Sequence, residues 1–174
     1  MSVPEFCRLE QGDTIGADER QVSISADEAE RGALARRFGL KAIERLDADF
    51  TLHRDAVGIV ARGRVRAAVV QACVVTDAPV PAAIDEQVAL RFVVDQAAGD
   101  EERELNADDC DVVAYDGAAI DLGEAAAETM ALALDPFPRA PGAAAALRDA
   151  GGIGEEDAGP FGALAGLKAM LGKG

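Results

Sequence analysis

From Val57 to Thr76 the chain reads VGIVARGRVRAAVVQACVVT, twenty residues with no helical repeat and a strong bias to Val. Such a run forms one long strand, around which the other elements have to arrange themselves. In its first half Val57, Ile59, Ala61, Val65 and Ala67 point one way and Arg62, Arg64 and Arg66 the other, as in a half-buried strand. From Ala67 to Val75 the only clearly polar side chain is Gln71, so this end is expected to be covered on both faces and central to the fold.

The segment before it alternates as well. Leu46, Ala48, Phe50 and Leu52 share one face, and Arg45, Asp47, Asp49, Thr51 and His53 the other. A turn over Arg54 to Gly58 makes the two segments an antiparallel hairpin, and matching the buried faces matches the polar ones. One register sets Asp49 opposite Arg62 and Asp47 opposite Arg64. Slipping by two sets Asp49 against Arg64 and Asp47 against Arg66. The arginines therefore have two competing uses. They are the candidate RNA contact of this chain, and they are expected to be consumed by cross-strand pairs contributing about 0.2 to 1 kcal/mol each.

The remaining elements are shorter. Phe6 and Leu9 mark a short edge strand and Gln21 to Ser25 a second one. Ser25 with Glu28 three residues on reads as a capping box, opening a helix with Leu34 and Phe38 on one face and Gly39 at its end. Ala78-Pro79-Val80-Pro81 reads as a stiff turn, Glu86 to Val94 as a strand, and Asp95 to Asp111 as a solvated acidic loop. Val112 to Tyr115 and Ala118 to Ile120 read as a hairpin around Asp116-Gly117. Asp121 then caps a second helix, with Glu124 in the box position and Leu122, Ala126, Met130 and Leu134 as its packing face.

Together these predict an α+β domain over residues 1–141, a twisted antiparallel sheet with two principal helices packed on it. Residues 142–159 read as a flexible acidic Ala/Gly-rich linker, and residues 160–172 as a short apolar helix. That helix is suited equally to docking on a partner and to folding back on its own domain.

No chemistry stands out. His53 is the only histidine, which removes most schemes that need an imidazole. Cys7, Cys73 and Cys110 are widely separated, match no zinc or redox spacing and read as reduced, packed thiols. Glu124 and Glu128 lie one turn apart, as on an exposed helix flank, and no cofactor or metal site is expected. The net charge is -15, and residues 95–174 alone carry 17 acids against 5 bases. That half repels phosphate, disfavours nucleic-acid binding through a broad basic surface, and suits a basic protein partner. No targeting segment or long apolar run is seen, so the cytoplasm is the expected location.

Several stretches share a resemblance. Gly63 to Pro79, GRVRAAVVQACVVTDAP, resembles the strand-to-turn segment of the YceD family, with Cys73 and Thr76 at the motif positions. Ile120 to Pro138, IDLGEAAAETMALALDPFP, is similar to the family's second signature. Its matching positions here are Asp121, Leu122, Glu124, Glu128, Leu132, Leu134, Pro136 and Pro138. The ending GPFGALAGLK is similar to the N-P-F-A-x-L-x-x-L-K ending of many members, with Gly159 and Gly162 replacing the asparagine and alanine. Many relatives carry metal-like cysteines after the proline segment. This chain has only Cys110 there, so no zinc is carried over.

The resemblance implies a non-catalytic factor in the synthesis, processing or stability of large-subunit ribosomal RNA, in the bacterial cytoplasm and in plant chloroplasts. Its expected partner is a basic ribosomal protein or assembly factor of the large subunit, with ribosomal RNA contacted directly or indirectly. Direct RNA binding through Arg62, Arg64 and Arg66 is the alternative.

Overall fold

The computed structural model describes residues 5–95 and 110–151. They divide into two compact units: the chain up to Gln71 with Pro81–Asp135, and Ala72–Val80 with the chain from Pro136 onward. In order, the elements are β1 (Leu9–Gln11), β2 (Arg20–Ser25), α1 (Glu28–Arg37), β3 (Ala42–Arg54), β4 (Ile59–Ala72), β5 (Pro79–Val94), β6 (Asp111–Tyr115), β7 (Ala119–Asp121), α2 (Leu122–Leu132) and α3 (Ala143–Asp149).

Strands β2-β3-β4-β5-β6 form a five-stranded sheet in that order, and β1 pairs with β7 in a separate two-stranded one. The predicted hairpin of β3 and β4 is present. Asp49 stands opposite Arg64 and Asp47 opposite Arg66, the second of the two registers open to the sequence. Leu46, Ala48, Phe50 and Leu52 of β3 and Ile59, Ala61, Val65 and Ala67 of β4 are buried on one side. Leu34 of α1 and Leu122, Ala126 and Met130 of α2, all at 0% exposure, belong to the same core. The four-residue repeat in α2 supplies this face.

The sheet is mixed, not wholly antiparallel. β6 runs parallel to β5, with Leu90 opposite Asp111 and Val94 opposite Tyr115. The turn at Asp116-Gly117 therefore does not close a hairpin. It sends the chain out of the large sheet, and Ala119 to Asp121 pair instead with Gln11 to Leu9. A two-residue turn with Gly117 at φ 88 suits a hairpin locally, but β7 takes β1 as its partner instead of the outer edge of β6.

Four further expectations are corrected. The capping box of α1 is Asp27 with Glu30, because β2 keeps its ladder with β3 through Ser25, whose Oγ donates to Asp47 at 2.7 Å. The long strand ends at Ala72, and Ala68, Val70 and Ala72 are half-buried rather than covered. Pro79 and Pro81, read as turn residues, begin β5 at exposed positions, where a missing N–H is tolerated. α3 occupies residues predicted as linker, while the predicted C-terminal helix and nearly all of the acidic loop lie outside the described residues.

The segment Phe6 to Arg8 ties the two principal helices to the fold. The Arg8 guanidinium forks onto Glu30 of α1 at 2.7 and 2.9 Å and lies 4.6 Å over the Phe6 ring. The Arg8 backbone N–H donates to Asp121 at 2.8 Å, directly before α2. A side chain at Gly123 would meet the Phe6 carbonyl oxygen at 2.2 Å, so glycine is what lets α2 start against this segment.

Candidate functional site

The arginine stripe of β4 is largely occupied. Arg66 reaches diagonally to Asp49 at 2.9 Å, and Asp49 also accepts from Ser23 at 2.7 Å. The hydrogen bonds from Ser23 and then from Arg66 hold the Asp49 carboxyl below the usual carboxylate range. Arg64 turns the other way and forks onto Asp85 of β5, one contact at 3.1 Å. Asp47, opposite Arg66 in the ladder, pairs with Arg45 of its own strand. Arg62 makes no ion pair among the described residues, only a contact of 3.8 Å to the Cys110 sulfur. Arg37 is engaged as well, with Glu124 at 2.8 Å and Glu5 at 3.3 Å, and Glu124 raises its pKa.

The second cluster joins two sequence motifs some sixty residues apart. After β4 the chain folds into a tight turn in which Cys73 N–H donates to the Ala78 carbonyl at 2.8 Å and Asp77 N–H to the Cys73 carbonyl at 2.9 Å. Asp77 takes a left-handed φ of 58, which a short carboxylate side chain tolerates. The Val74 N–H donates to the Pro138 carbonyl at 2.9 Å, so the turn and the segment after Pro136 form one unit. The Cys73 thiol is 3% exposed. Its pKa is lowered to about 7 by the Ala140 backbone amide, then the Thr76 hydroxyl, then the amides of Val75 and Thr76, against burial, which raises it. Cys7 moves the opposite way, raised by the neighbouring Asp121 and by burial.

A titration tests this geometry. In a Cys7→Ser, Cys110→Ser background, the thiolate ultraviolet absorbance of Cys73 should rise with a midpoint near 7, against an ordinary 9.0. Thr76→Val should move the midpoint upward. Because the folded value is the lower one, the thiolate's contribution to stability is complete above pH 9 and is lost as pH falls through about 7. A midpoint at the ordinary thiol value would remove the hydrogen-bonded turn.

The other family-motif positions are mainly architectural. Asp121 caps α2, its Oδ1 accepting from Gly123 at 2.9 Å and Glu124 at 3.2 Å besides Arg8. Leu122 is in the core, and its N–H donates to the Arg8 carbonyl at 3.0 Å. Glu124 is held by Arg37 rather than closing a capping box. Pro136 is exposed, and the Pro138 carbonyl receives Val74. Glu128 differs from these.

Glu128 lines an open groove of about 1320 Å³ whose walls are α2, β5 and β6. Val88 and Leu90 of β5, Val113 of β6, and Ala125 and Leu132 of α2 give it an apolar surface. Five carboxylates line it against one basic residue, Arg62. Asp121 and Glu124 are engaged as described, whereas Glu86, Asp111 and Glu128 have no hydrogen bond or ion pair among the described residues. Sequence reasoning missed Glu86 and Asp111 as a site. A signal was there: Glu86 shares its strand parity with Val88, Leu90 and Phe92, a carboxylate in an otherwise apolar row.

Among the described residues, no three His, Cys, Asp or Glu side chains are grouped so as to hold a metal ion. No helix there is long and apolar enough to cross a membrane.

The model of the family described as large ribosomal RNA subunit accumulation protein YceD matches residues 61–168, well over half of the chain. The chain belongs to the YceD family. No curated protein and no solved structure matches it. The matched region of this YceD-family chain begins within β4 and takes in the Cys73 turn, the groove and α2.

Proposed function

We propose that this YceD-family protein is a non-catalytic cytoplasmic factor that supports accumulation of large-subunit ribosomal RNA by holding a basic protein partner of the large subunit. The family match supports the ribosomal RNA part of this reading. The observation that favours a protein partner is electrostatic. The chain's net charge is -15, and the groove between α2 and the β5-β6 pair carries three carboxylates without partners among the described residues, beside apolar side chains. Such a surface attracts Lys and Arg and repels phosphate. Direct RNA contact has less support, because Arg64 and Arg66 are already bound to Asp85 and Asp49 on their own sheet.

The test is genetic. In a strain lacking the protein, the ratio of large- to small-subunit ribosomal RNA should fall, with large-subunit precursor accumulating on a ribosome gradient, and the wild-type gene should restore both. An unchanged ratio and gradient, in rich growth and under stress, would overturn the reading.

A further inference from the structure

We propose that the groove between α2 and the β5-β6 pair is the docking site for a protein segment that carries Lys or Arg between apolar anchors. The proposal rests on the protein-partner reading above and assigns its place. The two faces of α2 divide the work. Leu122, Ala126 and Met130 point into the core, while Ala125, Glu128, Thr129 and Leu132 follow at helical spacing along the groove. Leu132 is 88% exposed, although it is a large apolar side chain beside an apolar wall. Thus α2 leaves one large apolar side chain, Leu132, uncovered at the groove among the described residues, beside the polar Glu128 and Thr129.

Charge selects the occupant. Glu86 on β5, Asp111 on β6 and Glu128 on α2 put on each wall one carboxylate without a partner among the described residues, so a bound segment meets negative charge from three directions. Phosphate-bearing ligands and acidic segments are repelled there. A purely polar cation would leave the exposed Leu132 and the half-buried Val113 in water, and a purely apolar segment would cover carboxylates without giving them partners, which is costly. A basic segment with apolar anchors satisfies both, burying apolar area while its cations meet the carboxylates at the rim. The size agrees, since about 1320 Å³ exceeds the usual range for small-molecule pockets, roughly 300 to 1,000 Å³.

Fluorescence anisotropy on the full chain tests this with three labelled synthetic probes: peptides alternating Lys with Leu, Lys with Ser, and Glu with Leu. The Lys-Leu peptide should bind best, with affinity falling as salt rises. Glu86→Gln, Asp111→Asn and Glu128→Gln combined should weaken it about tenfold, roughly what three partly exposed charge pairs provide. Leu132→Ser should weaken it several-fold. A triple change of exposed carboxylates elsewhere, Asp13→Asn, Asp18→Asn and Glu28→Gln, should alter it less than about twofold. Unchanged melting temperatures establish that each variant folds.

Equal losses from the two triple variants would mean diffuse attraction to an acidic protein and would overturn the site. So would Lys-Ser binding as tightly as Lys-Leu, a short RNA binding in place of the peptides, or self-association abolished by Leu132→Ser, which would make a second copy the occupant. The two readings fail separately. If the groove triple variant restores ribosomal RNA in the deletion strain, the groove falls and the proposed function stands. If deletion leaves ribosomal RNA unchanged, the function falls whatever the peptides do.

Discussion

Gly63→Ala is expected to destabilise the protein by about 3 kcal/mol, lowering its melting temperature by on the order of 10 °C. Gly63 sits in the middle of β4, opposite Phe50 of β3. An added Cβ would lie 2.0 Å from the Asp49 carbonyl oxygen and 3.0 Å from the Phe50 Cα. Both are backbone atoms of the paired strand, so no side-chain rotation relieves the clash, and the two strands have to separate. The ladder that would open places Asp49 and Arg66 for their ion pair, and it also backs the core residues Phe50 and Val65. Gly39→Ala is the useful comparison. Gly39 has a φ of 66 but nothing within 4 Å of an added Cβ, so only the left-handed backbone is penalised, at about 1 kcal/mol. Urea unfolding of the two variants separates steric cost from backbone cost. Equal midpoints would contradict the close approach of β3 and β4.

Asp121→Ala should cost about 2 to 3 kcal/mol, while Asp121→Asn, which keeps an acceptor oxygen, should cost roughly half as much. One carboxylate oxygen takes three backbone N–H groups, two from the first turn of α2 and one from Arg8, 113 residues away in sequence. Alanine leaves all three without that acceptor at a part-buried junction and loosens α2 from the Phe6-to-Arg8 segment. The measurement is denaturant unfolding, with the deletion-strain ribosomal RNA ratio alongside it. If Asp121 is architectural, Asp121→Asn should restore that ratio in proportion to its folded fraction. A stably folded Asp121→Asn chain that fails to restore it would give the carboxylate a chemical role that its hydrogen bonds do not account for.

Arg37 and Glu124 illustrate how much of the site was readable in advance. Each is charged and lies on a helix, and Glu124 read as part of an exposed flank. In the fold they meet, at 2.8 Å, across the end of α1 and the start of α2. Nothing within eighty residues of either announces the other. Cys73 is similar. Its burial was expected from the strand, but its lowered pKa comes first from Ala140, a residue the local sequence could not bring near. Glu86 was more accessible, because a carboxylate interrupting an apolar row is a local irregularity visible in the chain itself.

The sequence by itself determined the buried faces of β3, of the first half of β4 and of α2. The two-residue alternation of β3 and β4, the four-residue repeat of α2, and its aspartate cap are local patterns that depend only on backbone geometry and on keeping apolar side chains from water. It also narrowed the β3-β4 register to two choices. The tertiary structure alone decided between them, set β6 parallel to β5, sent β7 to pair with β1, and brought the Cys73 turn to Pro138. The physical reason is that every extended segment offers the same row of N–H and C=O groups, so local pattern does not name a partner. The partner is selected by the packing of the whole core, and the groove that gathers Glu86, Asp111 and Glu128 exists only once that packing is complete.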